Sequence, residues 1–459
     1  MSKEKLKIGV FGGARGIVMI NALLHHPEAE LVAVCDKYEP ILEQARQTAG
    51  QFGVKVALYK DFDSFLSHDM DAVVLANYAT EHAPFAIRCL NAGMHVMSEV
   101  LPCENMAQAV ELIEAVERTG LVYAYAENYC YSNDTFEMWR RYREGDIGDV
   151  QYAECNYIHD CTTGWADITY GERDHWRNHL HPNFYCTHSL GPIFATTGHR
   201  PVQVVGFENP PIPEFYDLGH VGGHASGIEM VTLDNGAIVK SIHGPLRCEP
   251  PIVSYAVFGN RGCIRTAGGN LTLYRESEPG VGSTENYAPD KFVAVDTTKA
   301  SGIESHGGSD FYPTHCFIEK ILGHPDGRWS LDVYQAVDMG ICGILAFRSV
   351  LNHNEPVKVP NLRNKEERDA WRNDRACTNP DSLTRTERSF QEACILTAKR
   401  SFPTRCTRLC GNGGAGSKPF RKPEIVVPNQ KERRRRILSR GAADLSGIFT
   451  YLKNDLSVP

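Results

Sequence analysis

The sequence predicts an α/β chain with an N-terminal Rossmann parallel sheet, followed by an α+β domain built on an open, mostly antiparallel sheet. Residues 6–125 alternate short β-rich runs with amphipathic helical runs, which is typical of a parallel sheet with crossover helices. Later strands are joined by tight turns, DNG at 234–236 and GNRG at 259–262, which favour antiparallel pairing. The predicted divisions are residues 1–125, residues 126–360 and a C-terminal extension at residues 361–459.

Length and composition indicate an ordinary soluble protein. The chain has 459 residues, of which 42% are hydrophobic, so it can bury a large core. We expect no signal peptide and no membrane anchor, because no run reaches the ~18 apolar residues that span a bilayer. The 15 cysteines are scattered without a CxxC pair, which fits reduced thiols and a cytoplasmic location. A net charge of −8 gives no general reason to expect nucleic acid as a partner.

The last part of the chain differs in composition from the rest. Residues 383–459 hold 16 Lys and Arg against 6 Asp and Glu, with the run GNGGAGSK and the cluster KERRRR at 431–436. One interpretation is a basic arm for nucleic acid or an anionic membrane. We favour a poorly packed extension, disordered from about residue 383, or a stretch translated outside the natural frame. No function is assigned to it.

A glycine-rich turn follows the first predicted strand, LKIGVF. Glycines suit this place because the backbone must bend sharply and approach a pyrophosphate, while the next helix presents free N–H groups to the anion. The turn GGARG is one residue shorter than G-x-G-x-x-G, so its context supports it more than its spacing does. The predicted phosphate-binding residues are Gly12, Gly13, Ala14, Arg15 and Gly16.

The second predicted strand, ELVAVCD, ends in Asp36, 20 residues after Gly16. A carboxylate there accepts hydrogen bonds from a ribose diol and repels a 2′-phosphate. The sequence therefore predicts NAD rather than NADP as the cofactor, although Lys37 weakens the preference. The alternative is an aspartate that merely caps a turn.

Two further strands, DAVVLAN and MHVMSE, end near residues 77 and 99. Residues just beyond the carboxyl ends of parallel strands face the ligand crevice. We therefore expect the following side chains near the cofactor: Asn77, Glu81, His82, Glu99 and Pro102.

The order of these motifs resembles that of the Gfo/Idh/MocA oxidoreductases over roughly residues 6–360. Typical dehydrogenases of that family carry Glu-Lys-Pro after the fifth strand, and the lysine helps both cofactor binding and proton transfer. Here the segment SEVLPC keeps Glu99, but Val100 and Leu101 stand where the lysine is expected, and Pro102 is displaced by one. An apolar side chain cannot carry a proton, which argues against the ordinary dehydrogenase mechanism.

Four motifs of the second half resemble one branch of the same superfamily, the NAD-dependent glycoside hydrolases of the α-N-acetylgalactosaminidase type. They are AENYCY at 126–131, ECNYIHD at 154–160, WRNHLHPNFYCTHSLGP at 176–192 and SHGGSDF at 305–311. That branch also lacks the lysine. Cys186, Ser189 and His179 depart from its pattern, so the sugar, its anomeric configuration and its leaving group stay open.

The resemblance implies NAD as cofactor and a carbohydrate substrate. In that branch the sugar is oxidised transiently at C3, the C1 leaving group is eliminated across C1–C2, water adds and the ring is reduced again, which recycles NAD. By this resemblance His188 receives the C3-hydroxyl proton, and Tyr157 is the C2-proton base or the leaving-group partner. The implied catalytic residues are Glu127, Tyr157, Tyr185 and His188; those implied at the cofactor are Asn128, Trp176 and Arg177; those implied to close the cleft are His306, Gly307, Gly308 and Asp310. For Trp176 and Arg177 the resemblance leaves open contacts with sugar hydroxyls or with the phosphates of NAD.

Several of these residues have another interpretation. Tyr157 could be a packing residue of its strand, and His243, a weaker candidate, could be a satisfied strand histidine. A rival metal site would use His159, Asp160, His179, His181 and His188. We predict no metal, because beyond His179-x-His181 no close ligand spacing supports one.

Three functions remain open. The first, which we favour, is an NAD-dependent glycoside-cleaving enzyme. The second is an NAD-dependent sugar or cyclitol dehydrogenase that releases NADH, and the third is a non-catalytic NAD-binding or sensor protein. By resemblance, the open face of the second sheet predicts a homo-oligomer. No membrane partner is expected.

Overall fold

The computed structural model describes residues 5–220, 226–267, 269–289 and 309–378. The chain divides into two compact units, residues 1–395 and residues 396–459, and the described residues all belong to the first. The basic tail lies outside the described residues. So do three residues that the sequence placed at the cleft: His306, Gly307 and Gly308.

The N-terminal half forms a six-stranded parallel sheet. Its strands are β1 (Leu6–Phe11), β2 (Ala29–Cys35), β3 (Ala57–Tyr59), β4 (Ala72–Leu75), β5 (His95–Ser98) and β6 (Tyr123–Tyr125). Its helices are α1 (Gly13–His25), α2 (Glu39–Gln51), α3 (Phe62–Leu66), α4 (His82–Asn91) and α5 (Met106–Thr119). The strand order is β3-β2-β1-β4-β5-β6, so the order reverses between β1 and β4 and opens a crevice at their carboxyl ends.

The structure aligns the glycine turn differently from its sequence interpretation. Gly13 and Gly16 keep the three-residue spacing of the last two glycines in G-x-G-x-x-G, and Phe11 stands at the place of the first. The Phe11 ring ends β1 and packs 4.9 Å from the rings of both Phe62 and Phe85. The turn is therefore complete in length, with its first glycine replaced by a core aromatic residue.

The second half forms a nine-stranded sheet. Its strands are β7 (Val150–Ile158), β8 (Pro201–Glu208), β9 (Gly227–Leu233), β10 (Ile238–Gly244), β11 (Ile252–Gly259), β12 (Gly262–Ala267), β13 (Asn270–Glu278), β14 (Val281–Tyr287) and β15 (Val357–Lys358). Their order is β14-β13-β12-β11-β7-β10-β9-β8-β15, and only the β7–β10 pair is parallel. The turns at 234–236 and 259–262 join antiparallel neighbours, as predicted. The predicted fold class is confirmed.

The helices of this half are α6 (Asn133–Arg143), α7 (Trp165–Ile168), α8 (Thr187–Thr197), α9 (Pro213–Asp217), α10 (Phe311–Leu322), α11 (Val333–Leu351) and α12 (Lys365–Trp371). Helix α8 packs on β7 and β10, and α11 packs on β8. The strands of the sheet also expose large apolar side chains: Phe207, Ile252, Val253, Phe258 and Val281. That the open face joins copies of the chain stays a prediction.

Helix α11 is long and apolar. Its 19 residues have a mean hydropathy of 1.2, which is enough to cross a membrane by length and composition. However, 78% of this helix is buried inside the fold, as in the core helix of a soluble domain. A capping box begins it, because the Asp332 carboxylate accepts hydrogen bonds from the N–H groups of Tyr334 and Gln335.

The described start of the predicted extension is folded. Helix α12 and the residues after it pair with acidic residues of α5, through Arg368–Glu117, Arg372–Glu114 and Arg375–Glu111. These pairs place residues 365–375 against the nucleotide-binding half. The predicted division of the chain otherwise stays a prediction.

Candidate active site

The turn between β1 and α1 has the geometry of an anion cradle. Gly12 has φ 93°, and a Cβ added to it would lie 2.4 Å from the carbonyl carbon and oxygen of Ala76. In the first turn of α1, the N–H groups of Ala14 and Arg15 have no hydrogen-bond partner among the described residues, and the turn carries no acidic side chain. A pyrophosphate fits such a helix start.

Asp36 follows β2 and faces this turn. Its Oδ2 accepts a hydrogen bond from the Gly13 N–H at 2.8 Å, and its Oδ1 accepts one from the Tyr38 N–H at 2.9 Å. Each carboxylate oxygen keeps a lone pair for a ribose hydroxyl. Asp36 thus caps the adjoining turns through these hydrogen bonds, as the alternative interpretation proposed. It is also positioned for the predicted contact with a ribose hydroxyl.

Replacing Asp36 by serine is expected to raise the Kd for NAD about 10- to 100-fold, since a hydrogen bond to a charged group contributes about 1.5–3 kcal/mol. The Kd for NADP should change less, because serine removes the charge that repels the 2′-phosphate. Fluorescence titration with both nucleotides measures this, and Glu39→Gln, an exposed acid at the start of α2, is the control. An unchanged preference for NAD in Asp36→Ser would contradict the assignment.

A segment of the second half covers the ribose-binding end of the crevice. The Tyr38 hydroxyl donates to Glu172 Oε1 at 2.9 Å, and the Tyr38 and Tyr170 rings lie 5.5 Å apart. The Tyr78 ring lies 5.0 Å from that of His175. Sequence reasoning missed this cover. The available signal was a tyrosine two residues after Asp36 and another directly after Asn77.

The crevice floor contains one unsatisfied polar atom that suits a ligand. Asn77 donates through Nδ2 to Glu81 Oε2 at 3.1 Å, but its Oδ1 is buried without a partner among the described residues. Buried acceptors are normally paired, so this oxygen fits a donor of the bound nucleotide.

His82 lies beneath the floor instead of lining it. Its ring nitrogens lie 3.1 Å from the Leu101 carbonyl oxygen and 3.3 Å from the Asn77 carbonyl oxygen, and 1% of the residue is exposed. Burial lowers its pKa to about 4. His82 therefore lies between the loops after β4 and β5 as a neutral ring, which can donate to one of these two carbonyl oxygens.

This histidine should make stability depend on pH. Its folded-state pKa of about 4 lies below the ordinary 6.5, so its contribution is complete above about pH 6.5 and is lost as the pH falls towards about 4. Urea unfolding at about pH 7.5 and about pH 5 should show this loss. It should be smaller in His82→Gln but unchanged in His353→Asn, which alters an exposed histidine. An equal loss in His82→Gln would refute this origin.

Arg15 connects the glycine turn to the second half of the chain. Its Nε donates to Glu99 Oε1 at 2.7 Å and its Nη2 donates to Asp310 Oδ1 at 2.6 Å. Asn128 Nδ2 lies 3.4 Å from the same Asp310 oxygen. The predicted cofactor residues Arg15, Glu99 and Asn128 thus meet at one point, and the Arg15 guanidinium is held by two carboxylates. Beside them Val100 is buried and apolar.

A carboxylate–histidine pair, Glu127 and His188, lies next to Asn128. Glu127 follows β6 and is fully buried, and its Oε1 accepts a hydrogen bond from His188 Nδ1 at 2.6 Å. The Tyr255 hydroxyl donates to the His188 carbonyl oxygen at 2.8 Å, which holds the start of α8 in place. The other ring nitrogen, His188 Nε2, has no partner among the described residues. The carboxylate selects the tautomer in which this nitrogen is the acceptor.

Three tyrosines surround this pair. The ring centroids of Tyr157 and Tyr185 each lie 4.8 Å from that of His188, and the Tyr129 centroid lies 5.1 Å from it. The four predicted catalytic residues are therefore neighbours. Tyr129 was missed, although it stands beside Glu127 and Asn128 in the motif AENYCY.

The tyrosines differ in their charged surroundings. Burial raises the pKa of Tyr157 well above its ordinary value, and the nearby Tyr129 and Tyr185 raise it further. Burial also raises the pKa of Tyr185, but Arg177 opposes this, with its guanidinium 5.7 Å from the Tyr185 ring and 4.3 Å from that of Trp176. The predicted cofactor residues Trp176 and Arg177 therefore border the tyrosine side of the cleft.

The rival metal ligands do not converge among the described residues. His181 Nδ1 lies 3.3 Å from Glu208 Oε1, His159 Nδ1 lies 3.5 Å from Cys161 Sγ, and His188 faces Glu127. No group of three ligand atoms in the described part of the chain includes the rival set.

His243 belongs to a buried polar network on β10, where it is the register partner of Tyr157 on β7. Its Nε2 lies 2.9 Å from Glu229 Oε1, and Glu229 also accepts from Asn183 and Ser241. This arrangement matches the satisfied strand histidine considered from the sequence.

The parallel sheet, its glycine turn and the acid after β2 define an NAD-binding Rossmann domain that opens onto an antiparallel-sheet domain. Residues 6–127 match the Gfo/Idh/MocA family, an oxidoreductase family with an NAD-binding Rossmann fold. The predicted resemblance to this family and the NAD cofactor are confirmed for the nucleotide-binding half.

Curated relatives carry a more specific name. A glycosyl hydrolase family 109 protein of Shewanella sp. (strain MR-4) is 29% identical over 202 residues, which cover 41% of this chain and 44% of that protein. The alignment thus spans less than half of that relative. A glycosyl hydrolase family 109 protein of Stenotrophomonas maltophilia is 22% identical over 413 residues, covering 78% of this chain and 89% of that protein.

Solved structures share the fold. Levoglucosan dehydrogenase, solved with NADH and L-sorbose, has a TM-score of 0.63 at 16% identity and covers 78% of this chain. The myo-inositol 2-dehydrogenase of Lactobacillus plantarum has a TM-score of 0.60 at 17% identity and the same coverage of this chain. Each of the two matches covers 100% of the solved chain.

Proposed function

We propose that this protein cleaves glycosides by transient oxidation at C3, elimination across C1–C2, hydration and re-reduction. The observation that carries the proposal is the Glu127–His188 pair among three tyrosines, with Val100 where typical dehydrogenases have lysine. The names of the curated relatives support it. Bound NAD would accept the C3 hydride and later return it. The phosphate turn, Asp36 and Asn77 would hold NAD.

His188 is proposed to take the C3-hydroxyl proton. Its Nδ1–H is held by Glu127, so the lone pair of Nε2 is available to a sugar hydroxyl in the cleft. The buried carboxylate then stabilises the imidazolium that forms, because the opposite charges lie at hydrogen-bond distance. The same pair would serve a dehydrogenase, so it does not by itself decide between cleavage and oxidation.

The tyrosines are proposed to distinguish glycoside cleavage from oxidation alone, because cleavage also needs a proton donor for the leaving group and an acceptor for the C2 proton. A raised pKa keeps Tyr157 protonated, which suits a proton donor to the leaving group. Burial raises the pKa of Tyr185, but the Arg177 guanidinium near its ring opposes this, so of the two tyrosines Tyr185 is proposed as the acceptor of the C2 proton. Arg15 neither donates nor accepts a proton in this scheme, since an arginine paired with two carboxylates stays protonated.

The reaction is tested with the full-length protein, sub-stoichiometric NAD and a panel of aryl glycosides in D₂O. Aglycone release over many turnovers, with deuterium at C2 of the sugar, is the expected result. Accumulation of NADH in proportion to NAD, without cleavage, would instead establish the dehydrogenase. Inactivity across the panel, with NAD bound, would favour a binding or sensor protein.

Two variants test the tyrosine roles. Tyr157→Phe should lose far more activity on a methyl glycoside than on a nitrophenyl glycoside, whose leaving group needs no proton. Tyr185→Phe should lose exchange of the C2 hydrogen with both substrates. Tyr152→Phe, on the same strand as Tyr157 with its hydroxyl on Glu154, is the control. Equal losses on both substrates in Tyr157→Phe would exclude the donor role.

A further inference from the structure

A second cluster of ligating side chains lies at the opposite end of α1 from the phosphate turn. His26 follows this helix, about 20 Å from the turn by helix length. His26 Nε2 lies 3.1 Å from Nδ1 of His315 on α10, and Glu319 stands one turn further along α10. The three residues are 4%, 3% and 8% exposed, and none has a part in the proposed reaction.

The three side chains converge on one point. One ligand atom from each of His26, His315 and Glu319 lies within 4.8 Å of the other two. The i, i+4 spacing of His315 and Glu319 puts both on the same face of α10. Two imidazoles and a carboxylate form a donor set that binds Zn²⁺ and leaves a fourth position for water.

The surroundings of His315 orient it as a ligand. Its Nε2 lies 3.2 Å from Asp326 Oδ2, so this nitrogen donates to the carboxylate and Nδ1 presents its lone pair towards His26. Histidines that bind metals usually donate their second N–H to a carboxylate in this way. Asp326 therefore has the position of a supporting residue behind the ligand.

A second group of ligand atoms adjoins the first through Glu319. His324 Nδ1 lies 3.1 Å from Glu319 Oε1 and 3.5 Å from Glu28 Oε2. His324 and Glu28 are each 31% exposed, so this side of the cluster opens to solvent. An ion can enter here without unfolding the buried part.

The charges of the cluster favour a cation. Three carboxylates, those of Glu28, Glu319 and Asp326, face histidines. One hydrogen bond competes, because the Glu28 N–H lies 3.3 Å from His26 Nδ1 and favours a proton on Nε2.

We propose that His26, His315 and Glu319 bind a divalent transition-metal ion, Zn²⁺, which fastens α10 to the end of α1. Binding moves the His26 proton from Nε2 to Nδ1, so the weak hydrogen bond from Glu28 is given up for a metal–nitrogen bond. The ion lies apart from the reaction cleft. The proposal does not depend on the proposed function.

The test uses the full-length protein, stripped with a chelator and titrated with Zn²⁺ and with Co²⁺. Wild type should bind one more equivalent of metal ion than His315→Ala and Glu319→Gln do. Asp326→Asn should bind this additional ion about 10- to 100-fold more weakly than wild type. His25→Ala, which alters the neighbouring histidine with its ring on Phe52, should behave as wild type. The Co²⁺ spectrum should show tetrahedral N/O ligation without a thiolate charge-transfer band, which separates this site from the 15 cysteines.

Excess Zn²⁺ should raise the Tm of wild type and of His25→Ala by about 5 °C, and that of Glu319→Gln by much less. Glu319→Gln conserves the volume of the side chain, so we expect this variant to fold. It therefore tests metal binding even if His315→Ala fails to fold. Equal metal content in wild type and both ligand variants, or a Co²⁺ spectrum of thiolates alone, overturns the proposal. Glycoside cleavage should survive chelation well below the Tm, which keeps this test separate from that of the reaction.

Discussion

Replacing His188 by alanine is expected to lower kcat for glycoside cleavage by about 10³-fold, because general base catalysis typically contributes about 10²–10⁴-fold. The alanine variant should also be less stable. It leaves the Glu127 carboxylate fully buried without its partner, and an uncompensated buried charge costs about 3–5 kcal/mol. Steady-state kinetics and urea unfolding measure the two effects separately.

The double variant His188→Ala with Glu127→Gln separates the chemical from the structural contribution. Removing the charge as well as its partner should recover most of the stability but none of the activity. Glu127→Gln alone should also lower kcat, since a neutral amide stabilises the imidazolium less. If the double variant recovered activity together with stability, the pair would be structural and the proposed base would be wrong.

Replacing Gly12 by alanine is expected to lower the free energy of unfolding by about 3 kcal/mol and to abolish measurable NAD binding. Two effects combine at this position. The φ of 93° disfavours any side chain, and the new Cβ would lie 2.4 Å from backbone atoms of Ala76 and Asn77. Neither neighbour can retreat without displacing the end of β4, where the crevice lies.

Gly93→Ala is the matched control for Gly12→Ala. Gly93 has φ 90°, but a Cβ there meets nothing within 4 Å. Its variant should therefore lose only the backbone preference, about 1 kcal/mol, and keep NAD affinity. Circular dichroism melts and nucleotide titration compare the two. Equal behaviour of both variants would show that close approach at Gly12 does not matter.

Features set by short-range pattern could be predicted from the sequence. The parallel sheet followed from buried β-rich runs alternating with amphipathic helices, and the antiparallel sheet followed from tight turns between strands. Asp36 was found because a parallel strand carries its ligand-facing residue at its carboxyl end. Glu127 and His188 came from motifs that resemble a known branch, and their meeting depends on two segments 61 positions apart.

The fold class, the glycine turn and the residue types available for proton transfer were predictable, because they follow from local periodicity and motif order. Which of these residues meet depends on how the elements pack. Arg15 pairs with Asp310 across 295 positions, and His26 faces His315 across 289. Such partners leave no periodic trace, since their proximity results from packing α10 against the nucleotide-binding sheet.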